Sequence, residues 1–384
     1  MKQAKEVPES NTPEPIVIKQ VQTWRAVLRR AVPWKTARYT KGDIEATVIG
    51  ITDESGTVGY GYLPAMILVG EASRSAEALL YDVVVPLLER ESFTGIQPVM
   101  RAIDLALGFN PQLKFAVEEA LLDLVAKKLT TPVFNLFGGP CQLQVPVMRM
   151  MGLKPPKESA EEALALVKRG FRYIKLKIGL DEKRDVDTVR QVREAVGGEV
   201  FISVDANQAY TPMQAVRVLN QIRDFQIGVV EQPVREDDIR GMAFVRQQCQ
   251  LPIMADEGIK TASDALRHLE AGAMDAVSIK LWKMGGFFKS REIAAICSAA
   301  NVGVHIGSTA GSQLMEAAQL HFAATIMDLM GGAEIGEFDS LSNDPASGLE
   351  VINGSLRIRD VPGFGVDVDL SKMQETGPIA QTKR

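Results

Sequence analysis

Four ionisable side chains recur at nearly even intervals through the second half of the sequence: Asp205, Glu231, Asp256 and Lys280, separated by 26, 25 and 24 residues. Each stands at the end of a short apolar run of β character, and an earlier run, Tyr173 to Ile178, carries Lys175 and Lys177. Side chains alternate across a strand, so these two lysines share one face while Ile174, Leu176 and Ile178 share the other. The apolar face suits a covering layer of helices, which turns the lysines inward, where an unpaired charge is costly. Three carboxylates gathered at successive strand ends repel one another unless a divalent cation lies between them. An all-oxygen donor set suits Mg²⁺, with Mn²⁺ as the second choice.

Such a site can remove the proton next to a carboxylate. The cation and the ammonium groups stabilise the negative charge where it develops. Lys177 takes the proton, with Lys175 two residues away supplying the like charge that lowers its proton affinity. Lys280 faces the α-carbon from the opposite side. A lysine on each face permits racemisation or epimerisation, and also addition–elimination. Two other classes stay open. A Schiff-base aldolase would use Lys177 or Lys280 as the nucleophile and leave the three acids unexplained. A barrel that merely binds a small acid would show no proton exchange at all.

Positioning these groups requires a repeating frame. Eight β-like runs are readable: Val145–Met151, Tyr173–Ile178, Val200–Ala206, Gly228–Gln232, Pro252–Asp256, Ala276–Leu281, Val302–Ile306 and Ala333–Phe338. Helical runs such as Ala160–Arg169, Lys183–Ala195, Pro212–Phe225 and Ser263–Ala271 separate them. Alternation at this period predicts parallel βαβ units, and eight of them predict an α/β fold of the closed-barrel kind, with working residues at the C-terminal ends of the strands. An open doubly wound sheet is the rival, but no GxGxxG loop follows the first run. Upstream, Ile16 to about Gly61 reads as strands with a turn at Asp53-Glu-Ser-Gly56, followed by helices around Ser75–Leu88 and Leu113–Lys128. In the second helix Glu118, Glu119 and Asp123 sit near the polar side of a broad apolar face. The expected division is a disordered tail over 1–15, an α+β capping domain over 16–138 and a (β/α) barrel over 139–347. The segment 348–384 is expected to pack back on the cap.

Composition narrows the function classes. The 384 residues are 46% hydrophobic and 24% charged, a globular balance, and 43 basic against 48 acidic side chains leave a net charge of −5. That argues against a nucleic-acid partner. No apolar run approaches the roughly 20 residues of a membrane helix, and the polar, Pro/Glu-rich start has no signal-peptide core. The cytoplasm is the expected compartment. The three cysteines are scattered and form no CxxC pair, and no HExxH or GxSxG motif occurs.

These residues resemble the enolase superfamily, in its muconate-lactonizing-enzyme (mandelate racemase/muconate cycloisomerase-like) subgroup. The matching text is Tyr-Ile-Lys175-Leu-Lys177-Ile-Gly, Val-Asp205-Ala-Asn207, Glu231-Gln-Pro, Ala-Asp256-Glu257 and Ser-Ile-Lys280-Leu-Trp-Lys-Met-Gly-Gly. Phe115-Ala-Val-Glu-Glu-Ala-Leu-Leu-Asp-Leu, Leu136-Phe-Gly-Gly and Val361-Pro-Gly-Phe-Gly-Val-Asp resemble the subgroup's cap-to-barrel junction and closing segment. The resemblance implies a modified TIM-like barrel with an α+β cap built from the N-terminal segment and the C-terminal tail. It implies Mg²⁺ on Asp205, Glu231 and Asp256, and Lys177 and Lys280 as the acid/base pair. Lys175 would tune Lys177 and touch the substrate carboxylate, Asn207 would join the substrate site, and the chain would form homo-oligomers.

Specificity is read from what surrounds this set. Glu337-Phe-Asp339 closes the eighth run with both acids of one parity; dipeptide epimerases of the subgroup carry Asp-x-Asp there for a substrate ammonium, and muconate cycloisomerases a single Glu. Two acids favour a cationic group on the substrate, hence racemisation or epimerisation of a dipeptide, N-acyl amino acid or proline derivative. Muconate-type cycloisomerisation and dehydration of an acid sugar or hydroxyproline are the alternatives on the same scaffold. Arg149, of inward parity on the first run, is a candidate for a substrate anion. The loop Trp34 to Tyr39 would cover the site, with Trp34, Lys35 and Arg38 as further candidates. Trp282 shares the parity of Lys280, and His305 is expected in a polar layer of the core.

Overall fold

Seven parallel strands hydrogen-bond edge to edge in strict chain order. Cap-sheet strands precede them: β1 (Ile18–Arg30), β2 (Ile44–Asp53) and β3 (Val58–Leu63), an antiparallel meander with β2 between the other two. The barrel strands are β4 (Met148–Met151), β5 (Tyr173–Lys177), β6 (Phe201–Asp205), β7 (Ile227–Glu231), β8 (Ile253–Ala255), β9 (Ala276–Ile279) and β10 (Gly303–Ile306). The computed structural model describes residues 15–378, apart from 32, 36–39, 65, 67–69 and 90–91. The expected loose tail (residues 1–14 of it) and Arg38 therefore lie outside the described residues.

The eighth expected strand, Ala333–Phe338, is not a strand. The segment closes the ring by a few bonds, two to one neighbour and one to the other: Met148 N donates to Ala333 O, Ala333 N to Pro146 O, and Glu334 N to Ile306 O. Its glycines explain the irregularity. Gly331 and Gly336 have φ of +70° and +105°, backbone that a pleated strand does not contain. A Cβ on Gly332 would lie 2.9 Å from Met148 N and from Pro146 O. Glu337–Ser340 then form a 3₁₀ turn. The first expected strand also divides, because Gln144–Pro146 leaves the barrel to pair with the hairpin strand Ser355–Arg357.

Helices fill the βα connections where the polar runs were read. In the cap these are α1 (Ser73–Leu79), α2 (Ile96–Ala106) and α3 (Pro111–Lys128); α1 continues through a π-turn into Val85–Leu88. In the barrel they are α4 (Pro156–Lys168), α5 (Glu182–Val196), α6 (Pro212–Ile222), α7 (Ile239–Gln248), α8 (Ala262–Glu270), the single turn α9 (Leu281–Met284), α10 (Phe287–Ala299) and α11 (Gln313–Ala324). Their starts are set by side chains that accept the free N–H groups of a first turn. Asp181 accepts from Arg184 N, Asp238 from Gly241 N, and Thr211 and Thr261 form capping boxes with Gln214 and Asp264.

Helix α3 corrects one expectation. Its acids do not lie on a solvated side: Glu118, Glu119 and Asp123 are all buried. Each accepts main-chain N–H groups of another element. Glu119 takes Tyr62 N, Asp123 takes Tyr60 N and Phe364 N, and Glu118 takes Phe287 N and Phe288 N. Cap sheet, closing segment and barrel helix α10 are thereby tied to one helix. The closing segment returns to the cap, where Gln374–Thr376 pairs with Thr23–Arg25 of β1. Among the described residues no helix is long and apolar enough to cross a membrane.

Candidate active site

Strand registers bring the ionisable groups to one end of the barrel. Lys177 stands beside Asp205 across β5 and β6, and Asp205 beside Glu231 across β6 and β7. Asp256 follows the last residue of β8, and Lys280 follows β9 as the residue that opens α9. Asp205, Glu231, Asp256 and Lys175 are all 0–1% exposed, and Lys177 is 7% exposed. A cavity of about 140 Å³ lies over them, lined by Lys175, Lys177, Asn207, Asp256, Lys280 and Trp34 among others. Lys177 and Lys280 enter it from β5 and from the end of β9, four positions apart in a ring of seven strands and one closing segment.

Lysines and acids interleave there. Lys175 Nζ lies 2.5 Å from Glu231 Oε2, 2.5 Å from Glu334 Oε1 and 3.2 Å from Asp205 Oδ2. Lys177 Nζ donates to Asp205 Oδ2 at 2.5 Å, and Lys280 Nζ to Asp256 Oδ2 at 2.6 Å. The other oxygen of Asp256 takes Lys283 Nζ at 2.6 Å, and Lys283 also reaches the Asp256 carbonyl. Burial pulls Lys175 down, but Glu231, Glu334 and Asp205 overcome it and hold the ammonium well above the usual lysine range. Asp256 resists burial through Lys280 and Lys283 and stays far below the usual carboxylate range. Burial, with Asp205 and Glu334 beside it, pushes Glu231 well up despite Lys175.

The donor set fits a hard cation. Four buried acids (Asp205, Glu231, Asp256 and Glu334) and the half-buried Glu257 face four lysines (Lys175, Lys177, Lys280 and Lys283), one acid more than there are bases. The deficit falls on Glu231. Neither of its carboxylate oxygens accepts a hydrogen bond, although Lys175 Nζ lies 2.5 Å from Oε2, and Asn207 Oδ1 and Glu257 Oε2 are also buried without a partner. As they stand, no three His, Cys, Asp or Glu side chains among the described residues are arranged to hold one ion. Lysine ammonium groups lie against the three acids instead.

The remaining candidates divide. Asn207 lines the cavity, its main-chain N–H donating to Asp205 Oδ1 at 2.7 Å. Trp34 and Trp282 line it as well. Lys35 does not; its side chain is exposed and its carbonyl accepts from Leu153 N. The specificity candidates at the eighth run are paired with one another. Arg149 clamps Asp339 with both terminal nitrogens at 2.8 and 2.7 Å, sits 3.5 Å from Glu337 Oε1 and stacks on Phe171. Arg169 adds a second cation to Asp339, and Met150 N occupies Glu337. In this arrangement Glu337 and Asp339 are turned to arginines rather than to a substrate ammonium. Arg149 is likewise spent on them rather than on a substrate anion, and none of the three lines the cavity. His305 lies in the polar layer, between Glu334 and the Met330 carbonyl. Two site residues were not singled out from sequence. Lys283 was signalled by its i+3 spacing from Lys280. Glu334 had no usable signal, because strand parity fails in a segment that is not a strand.

Comparison with known proteins matches this arrangement to a family. Residues 18–138 match the mandelate racemase / muconate lactonizing enzyme N-terminal domain, and residues 158–372 match the enolase C-terminal domain-like family. The chain belongs to the enolase superfamily, in the muconate-lactonizing-enzyme subgroup. Within the superfamily it is 31% identical over 355 residues to the L-Ala-D/L-Glu epimerase of Bacillus subtilis (strain 168), covering 90% of this chain and 96% of that one. The dipeptide epimerase of Enterococcus faecalis V583, solved with Mg and the dipeptide L-Leu-L-Tyr, superposes with a TM-score of 0.86 at 30% identity, over 91% of this chain and 99% of that one. The N-succinyl Arg/Lys racemase of Bacillus cereus ATCC 14579 superposes with a TM-score of 0.89 at 27% identity, over 93% and 96%.

Proposed function

We propose that this superfamily member is a Mg²⁺-dependent racemase or epimerase that removes and returns the α-proton of an amino-acid-derived carboxylate, a dipeptide or an N-acyl amino acid. The observation that carries the reading is the placement of Lys177 and Lys280 on opposed positions of one barrel mouth, with Asp205, Glu231 and Asp256 buried between them. Asp205, Glu231 and Asp256 would hold the cation. When bound, the cation supplies positive charge to the substrate carboxylate as its α-proton leaves. Lys175, fixed between Glu231 and Glu334, adds a second positive charge at the same end of the substrate. Lys177 takes the proton from one face and Lys280 returns one to the other, or the reverse for the opposite enantiomer. Trp34 and Trp282 wall the cavity and keep water from the carbanionic carbon.

The names of the relatives agree with this choice of substrate. They include epimerases of dipeptides and a racemase of N-succinyl amino acids. The test is a panel of dipeptides, N-acyl amino acids and proline derivatives incubated in D₂O with Mg²⁺ and followed by proton NMR. The wild-type protein exchanges the α-proton of at least one compound and interconverts its epimers. K177A keeps exchange of one epimer only, and K280A keeps the other. Lactonisation of muconate, dehydrated products, or borohydride trapping of a carbonyl substrate without α-exchange would each overturn the reading.

A further inference from the structure

The two lysines are not equivalent in their surroundings. The Trp34 ring lies over Lys177, its centroid 5.4 Å from Nζ, within the reach of a cation–π attraction. Lys280 has no aromatic face over its ammonium among the described residues; its ammonium pairs with Asp256. Trp34 comes from the cap, on a two-stranded hairpin formed by Trp34–Lys35 and Thr40–Lys41. It is seated on the barrel at the loop after β4. Leu153 N donates to Lys35 O at 3.0 Å, and a Cβ on Gly152 would lie 2.9 Å from both Cδ1 and Nε1 of Trp34. Gly152 has ordinary backbone there, so its lack of a side chain serves this close approach.

We propose that Trp34, seated on Gly152, is a positioning residue for Lys177 alone, and so acts on one of the two stereochemical directions of proton transfer. This rests on the two-base reading given above. Lys177 carries its amine on a flexible four-carbon stem, and its ammonium meets Asp205 and the Trp34 ring. Asp205 fixes the ammonium from below, and the ring limits it from above. Removing the ring leaves the stem free to rotate away from the α-carbon, while Lys280 is untouched. A ring that served only to exclude water would act equally on both lysines.

The experiment measures α-proton loss in D₂O separately for the two epimers of the fastest-exchanging panel compound, at saturation, with Mg²⁺ present. K177A and K280A first assign each epimer to its lysine. W34L then slows the Lys177-side epimer about tenfold relative to the Lys280-side epimer, the weight of one cation–π contact. W34F, which keeps a π face, stays within about threefold of the wild type on both sides. G152A, which displaces the ring without altering it, slows the same epimer as W34L. Equal slowing of both epimers, or no slowing, in W34L and G152A overturns the role of Trp34 and leaves the two-base reading intact. If K177A and K280A fail to separate the epimers, the two-base reading itself falls.

Discussion

Lys175 sits among three carboxylates at the barrel mouth. It is 1% exposed and is the common neighbour of Asp205, Glu231 and Glu334, with Asp256 also raising its proton affinity. Removing one partner of a buried ion cluster costs more than the cluster contributes, because the remaining charges cannot return to water. K175M, of similar length and no charge, is therefore expected to destabilise the protein by about 3–5 kcal/mol, seen as an earlier urea midpoint. A loss below about 1 kcal/mol, the size of an exposed pair, would show that other cations neutralise these acids. At this scale the sequence was legible wherever a regular strand carried the residue. Parity alone put Lys175 and Lys177 on one face and their apolar neighbours on the other. It failed at Arg149, Glu337 and Asp339, whose types and positions were visible but whose mutual pairing was not. The pairing depends on the 3₁₀ turn at Glu337–Ser340, which no alternation pattern encodes.

Among the elements, α3 shows what periodicity leaves out. Fourteen of its residues are buried, including three acids, because a helix buried on all sides has no polar face to display. It lies so close to β3 that a Cβ on Gly61 would be 1.9 Å from the Ala116 carbonyl. The acids were readable as residues but not as staples, since their partners are main-chain N–H groups in distant segments. Helix α2 escaped for a different reason: Pro98 looks like a breaker, yet it occupies the first turn, where proline is tolerated. The helix starts were legible because capping boxes are local. Glu118 gives the element-scale prediction. Burial pushes its carboxyl up to about 8, against the two N–H donors at the start of α10. The unfolded chain has the ordinary value of 4.5, so between that value and about 8 the native state holds a proton that the unfolded state has released. Stability contributed by this group therefore falls as pH rises through that window. E118Q keeps an acceptor for the N–H groups and carries no charge. Its melting temperature is expected to gain steadily on that of the wild type between about pH 5 and pH 8, measured by calorimetry across that range. A constant difference would show that Glu118 stays ionised throughout.

For the molecule as a whole, the cavity exists because two bodies meet over it. The barrel supplies acids and lysines, and the cap supplies Trp34. The barrel period was legible through the seven parallel strands because each βα unit is built from short-range signals, and it failed at the closing segment. The docking of the cap was not, because it depends on long-range bonds such as those from Phe287 N and Phe288 N to Glu118 and from Leu153 N to Lys35 O. The union gathers more acids than lysines at the barrel mouth, with Lys175 the ion-pair partner of Glu231 and no hydrogen bond to either of its carboxylate oxygens. A ligand that binds the native state and not the unfolded chain stabilises it by mass action, by about 2.7 kcal/mol at one hundred times its dissociation constant. For a chain of this length that corresponds to a rise in melting temperature of about 3 °C. Protein stripped with EDTA should therefore melt lower than the same protein with saturating Mg²⁺, by calorimetry and without any substrate. D205N, E231Q and D256N should each abolish most of that rise, while W34L, which alters only the wall of the cavity, should keep it. Identical melting curves for stripped and Mg²⁺-loaded wild-type protein would mean that the lysines alone neutralise the three acids, and the reading of this barrel as a metal-dependent isomerase would fall.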